Sequence, residues 1–195
     1  MSTYPYGTLK MSGPVKPITK KRLENICLYY LARYESSEGK LREMLNRRLA
    51  KTRMKGGDVP QDAQKWIDEA VASMKAQNFL SDERFARNLA ERCRRAGKSG
   101  KYIRMKLKQA GIADDLIQSL TAPDKRDEDG ANDEEEAAKK LVKKRKLGYM
   151  RPAAERKDFF KKDLAVLARA GFSFDIAVKA LNLSAQDEDF EDVCF

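Results

Sequence analysis

The sequence predicts an all-α fold, an elongated array of three tandem three-helix repeats joined by short loops. Three observations lead there. Apolar residues recur at helical spacing in one segment after another. The alternating Val, Ile and Thr runs that would mark strands are missing. A cycle of roughly 40 residues comes round three times, the sequence signature of a repeat architecture. The segments KLREMLNRRLA, YIRMKLKQAGI and FFKKDLAVLARAGF each stand at the second-helix position of a cycle, and the last two close on Ala-Gly. A unit this small cannot bury a sufficient core by itself, so neighbouring helices must support one another.

Residues 1–17 carry Pro5, Gly7, Gly13, Pro14 and Pro17 without periodicity and read as a flexible arm. The first cycle is expected over residues 18–80. Thr19 can cap a helix whose Leu23, Ile26, Cys27, Tyr30, Leu31 and Tyr34 share one face. Ser37 can cap the next, which turns Leu41, Leu45 and Leu49 inward. Gly56-Gly57 ends that helix, and Pro60 suits the first turn of a third with Ile67, Ala70, Val71 and Met74 on its core side.

The second cycle, residues 81–123, opens at Ser81, with Asp82 and Glu83 in the first turn where the helix dipole favours negative charge. Phe85, Leu89, Cys93 and Ala96 form its apolar stripe, and Gly97 stops it. Ser99 can cap the following helix, with Ile103 and Leu107 inward, and Ile112, Leu116, Ile117 and Leu120 mark a short third one. An acidic linker is expected over residues 124–136. The third cycle covers 137–183, with Leu141 and Val142 on its first helix, a break at Gly148, Pro152 opening the second, and Phe159, Phe160, Leu164 and Leu167 inward. Phe172 and Phe174 cannot easily face one core. An acidic, disordered tail is expected over 184–195.

Charge narrows the function. The 195 residues contain 40 Lys and Arg against 30 Asp and Glu, a formal net charge of +10. Such an excess points to an anionic partner, most often nucleic acid. No histidine is present, which removes catalytic triads, most zinc sites and the commonest general base. The three cysteines, Cys27, Cys93 and Cys194, form no close pair, so neither a CxxC metal or redox motif nor a disulfide framework is expected. Gly97-Lys98-Ser99 resembles the end of a phosphate loop, but Arg92 stands where the motif needs its first glycine. No catalysis, cofactor or metal is expected. With no apolar leader segment at the N-terminus, a cytoplasmic location is expected.

The candidate binding residues lie in the second cycle. Opposite Phe85 and Leu89 stand Arg84, Arg87, Arg94 and Lys98, with Arg95 beside them, and Lys101, Arg104 and Lys108 continue the basic surface on the next helix. Such a stripe is an electrostatic footprint for phosphates or for an acidic protein groove. The plain alternative is a solvated helix face.

The stretches YLARYESSEGKLREML, FLSDERFARNLAERCRRAG and IRMKLKQAGI resemble the RecX family of bacterial recombination regulators. The likeness spans about residues 19–181, although Ala96-Gly97-Lys98-Ser99 stands where family members often carry Arg-Gly-Tyr-Gly. The resemblance implies tandem three-helix repeats in a monomer that binds the RecA–DNA filament along its groove. It also implies restraint of RecA ATPase and strand exchange, and damping of LexA cleavage in the SOS response. A different class of reading is a direct DNA-binding protein with helix-turn-helix-like modules.

Overall fold

The protein, described here from a computed structural model, has its structure defined for residues 16–121 and 130–182. The expected arm, the centre of the linker and the tail lie outside the described residues. Among the described residues all regular structure is helical: α1 (Lys20–Leu31), α2 (Glu38–Met54), α3 (Ala63–Ala76), α4 (Asp82–Arg95), α5 (Gly100–Gln109), α6 (Asp114–Thr121), α7 (Gly130–Arg145), α8 (Ala153–Ala170) and α9 (Phe174–Leu181), with a 3-10 turn at Gly148–Met150. The chain divides into two compact units, Met1–Ser81 and Asp82–Phe195.

Local chemistry sets the helix ends. The Thr19 hydroxyl accepts the Arg22 N–H, Ser37 accepts that of Lys40 and Ser99 that of Tyr102, each satisfying a donor the first turn leaves open. Gly56, Gly97 and Gly171 close α2, α4 and α8 at positive φ, the conformation glycine enters at least cost.

In the first unit α3 packs on both α1 and α2. Leu23, Cys27, Leu41, Leu45, Ile67, Val71 and Met74 are buried between them. Burial pushes the Cys27 thiol up to about 11, with Glu24 adding to the shift, so it stays a small, inert hydrophobe. Tyr34 departs from the expected stripe. Helix α1 ends at Leu31, and Tyr34 therefore falls beyond the last turn and is 59% exposed, its ring against that of half-buried Tyr30. Tyr29 is exposed too, with the Arg33 guanidinium 3.9 Å above its ring. Pro60 also shifts in role: it precedes α3, and its carbonyl accepts the Ala63 N–H.

An ion network crosses α2 and α3. Glu38 accepts from Lys75 at 2.7 Å and from Arg42 at 2.9 Å, and Arg42 also reaches Asp68. The Lys75 hydrogen bond and then that of Arg42 hold the Glu38 carboxyl below its ordinary value of 4.5. A carboxyl depressed on folding stabilises the native state fully above its unfolded value, and that stability is lost as pH falls through the folded one. The melting temperatures of the parent and Glu38→Gln proteins should therefore differ near neutrality and converge below pH 4.5. A gap that does not change on acidification would count against the network.

In the second unit α4, α5 and α6 pack mutually around Phe85, Ala86, Ala90, Ile103, Leu107 and Ile117. Leu89 and Cys93 are only partly buried, and Ala96, expected on the stripe, is exposed because the helix ends at Arg95. In the third cycle α9 packs on α7 and α8. Leu141, Val142, Leu167, Phe172, Ala177 and Leu181 are buried there. The two phenylalanines part company, with Phe172 at 6% exposure and Phe174 at 61%.

The acidic linker is shorter than expected, because α7 begins at Gly130 and takes up residues 130–136. Glutamates early in a helix are favoured by its dipole. They also find partners: Glu136 pairs with Lys140 one turn on, and Glu135 with Lys179 of α9 at 3.3 Å.

One core position breaks the apolar rule. Registering Ala170-Gly171 on Ala110-Gly111 places Leu167 on Leu107 and Asp163 on Ile103. Asp163 is 2% exposed. Its Oδ2 accepts the Gly148 N–H at 2.9 Å and the Arg151 Nε at 2.8 Å, while Oδ1 accepts the Arg151 Nη2 at 2.9 Å. The Arg151 guanidinium lies 4.4 Å from the Phe159 ring centroid, and Arg156 bonds the carbonyls of Arg151 and Tyr149. The buried carboxylate thus pins the turn between α7 and α8.

Candidate functional site

The basic stripe is positioned by the α4–α5–α6 bundle. On α5, burial of Ile103, Leu107 and Ala110 fixes the inner face, so the i, i+3 and i+7 positions Lys101, Arg104 and Lys108 project from the opposite side. All three are exposed and make no ion pair with a described residue. Met105, which sequence reasoning passed over, lies beside them at 44% exposure. The α5 face is therefore cationic with an exposed apolar residue at its edge.

The remaining candidates are placed differently. Arg84 and Arg87 are exposed on α4, and Arg87 pairs with Glu83 one turn earlier. Arg95 pairs with Glu91 at 2.8 Å. Exposed ion pairs of this kind contribute little to stability and leave the cation accessible. The Arg94 guanidinium bonds the Leu120 carbonyl and so ties α4 to the end of α6. Lys98 is half-buried, with Nζ 4.7 Å from the Tyr102 ring centroid and 3.5 Å from the Arg169 carbonyl. The stripe thus resolves into an exposed α5 face, an outer α4 face, and a cluster at the end of α4 whose members also hold the bundle.

Arg92 was missed by the sequence reading, which followed the positions opposite Phe85 and Leu89. It is exposed in the last turn of α4 beside Arg94 and Arg95. The signal available was the ERCRR run itself, since cations are favoured at helix C-termini whatever face they occupy.

Among the described residues no group of three or more Cys, Asp or Glu side chains could hold a metal ion, and no helix is long and apolar enough to cross a membrane. What the arrangement offers is a surface of fixed positive charge, suited to binding an extended anion or an acidic protein face.

Comparisons with known proteins place the fold in a family. A family model described as "RecX, second three-helix domain" matches residues 81–119, the α4–α6 bundle. The "Regulatory protein RecX" of Myxococcus xanthus (strain DK1622) is 34% identical over 176 residues, covering 89% of this chain and 92% of that protein. The "Regulatory protein RecX" of Leuconostoc mesenteroides subsp. mesenteroides is 32% identical over 126 residues, 64% of this chain and 44% of that protein. A crystal structure of regulatory protein RecX shares the fold at TM-score 0.53 and 20% identity, over 83% of this chain and 70% of that one. With a third of its residues shared along nearly the whole length of a relative, the chain belongs to the RecX family of regulatory proteins.

Proposed function

We propose that this protein regulates homologous recombination and the SOS response by binding the RecA–DNA filament in its groove, and that it restrains RecA ATPase, strand exchange and LexA cleavage. Family membership supplies the regulatory role. The observation that carries the binding mode is the exposed α5 face, where Lys101, Arg104 and Lys108 stand beside exposed Met105. An apolar contact beside a row of cations fits an anionic groove lined by both protein and phosphate. The repeat cycles 18–80, 81–123 and 137–183 are the modules that would lie along it.

The test is the DNA-dependent ATPase of RecA titrated with the purified protein. Substoichiometric protein should suppress turnover and LexA cleavage together. The triple change Lys101→Glu, Arg104→Glu and Lys108→Glu should raise the inhibitory concentration about tenfold or more, with helicity unchanged, on the scale of a few cation–phosphate contacts. Unchanged inhibition would remove this face as the contact. A second reading, direct DNA binding by a helix-turn-helix-like module, draws on the tight Gly97–Ser99 turn between α4 and the basic α5. It would gain if ATPase were unaffected while bare DNA bound with a sequence preference.

A further inference from the structure

The second and third cycles meet along a seam inside the second unit, and the contacts there bring together basic residues that neither cycle supplies alone. The Ser99 N–H donates to the Ala170 carbonyl at 3.0 Å, setting the start of α5 against the end of α8. Immediately beside that bond, Lys98 Nζ lies 3.5 Å from the Arg169 carbonyl. One turn back, Lys144 Nζ donates to the Arg95 carbonyl at 3.0 Å. The order across the seam is thus Lys144, Arg95, Lys98, Arg169, two residues from each cycle.

Helix dipoles explain part of this, since the ends of α4 and α8 both present carbonyls here and each favours a nearby cation. They do not explain the surplus. Lys98, Lys144 and Arg169 make no ion pair with a described residue, and Glu91, paired with Arg95, is the carboxylate in contact with the group among the described residues. Lys144, Arg95 and Arg169 remain exposed.

We infer that the seam between the second and third cycles is a binding surface for the phosphodiester backbone of a nucleic-acid strand, formed by Arg95, Lys98, Lys144 and Arg169. Basic residues drawn from four helices along one seam fit a ligand with repeated negative charge, and the seam adds α7 and α8 to the surface on α4 and α5. This deepens the filament reading by naming the DNA strand as the group met at this place. Bare oligonucleotide contains no recombinase, so the test below can fail while the filament assay succeeds, and the reverse.

The experiment measures binding of the full chain to a labelled single-stranded oligothymidylate by fluorescence anisotropy across a KCl series. Lys144→Ala with Arg169→Ala should weaken binding about tenfold at low salt and flatten the slope of log K against log salt by roughly 2, one for each lost phosphate contact. Lys157→Ala with Lys161→Ala removes the same charge from an exposed face of α8 and should leave affinity within about twofold of the parent. The swap Lys144→Arg with Arg169→Lys keeps the charge and should keep the binding. Equal losses in the two alanine pairs, a swap as damaging as the alanine pair, or no measurable binding by the parent protein would each overturn the inference.

Discussion

Replacing Asp163 by alanine is expected to lower the stability of the second unit by about 1–3 kcal/mol, the range for leaving a buried donor without its acceptor, because the partly exposed Arg151 side chain regains water. Two orphans would be left behind. The Gly148 N–H loses its acceptor inside the fold, and the Arg151 guanidinium loses both oxygens of a bidentate partner. In the parent the Asp163 hydrogen bond and then the carboxylate's field favour charged Arg151; with both gone it still keeps its proton, as a guanidinium does across the accessible pH range. Asp163→Asn, which can still accept one hydrogen bond, should lose less. Asp163→Leu combined with Arg151→Met should recover part of the loss, because a buried pair exchanged for apolar residues is often neutral. It should not recover the share due to the Gly148 N–H. Denaturant melts followed by circular dichroism would measure all three. A loss under about 1 kcal/mol for the alanine change would show that the clamp holds nothing in place.

Gly171→Ala is expected to destabilise the same unit by about 2–4 kcal/mol, from left-handed strain of about 1 kcal/mol plus overpacking of about 1–3 kcal/mol. Gly171 sits at φ +94, and a Cβ there would lie 2.5 Å from Ser99 Oγ and 2.8 Å from Tyr102 Cβ. Neither neighbour has room to withdraw. Ser99 is fully buried and bonded through its hydroxyl to the Tyr102 N–H and through its N–H to the Ala170 carbonyl. Gly56→Ala is the control, since its φ is +70 but no atom lies within 4 Å of the added methyl. It should cost only about 1 kcal/mol. Amide exchange at Ser99 separates the two effects, because only the Gly171 change should deprotect it. Equal costs for the two substitutions would mean that the seam yields freely.

The helices were legible in the sequence because most of them follow rules that act within one turn. Thr19, Ser37 and Ser99 cap where short polar side chains favour a cap, and Gly97 and Gly171 stop helices where a left-handed residue is needed. The apolar stripes of α3 and α5 appear as read. What escaped was set by neighbours distant in sequence. The start of α7 looked like solvated linker because Glu135 finds Lys179 only after folding. Tyr34 looked like core because nothing local announced that α1 would end at Leu31. Asp163 was the largest surprise, although laying AGF on AGI in the two repeats already placed it on Ile103.

The candidate site was legible as charge and obscure as geometry. Spacing on α5 located Lys101, Arg104 and Lys108 correctly on one exposed face. It could not reveal that Arg94 turns to the Leu120 carbonyl, or that Lys98 reaches towards Arg169. Those bonds depend on how α6 and α8 dock, and that information is not contained in a helical period.

The exchange of Ile103 for Asp163 also bears on how a repetitive chain avoids misassembly. Helices α5 and α8 share enough pattern that each could compete for the other's slot while the chain collapses, a familiar hazard of repeat proteins. In the wrong slot, Asp163 would sit among Phe85, Ala86 and Ile117 with no arginine to meet it. Ile103 in turn would leave Arg151 and the Gly148 N–H unanswered. The first mismatch costs several kcal/mol, the scale for a buried charge without its partner, and the second strands a buried backbone donor at about 1–3 kcal/mol. One carboxylate therefore acts as an address, admitting each helix to its own place and making the swapped register the less stable one.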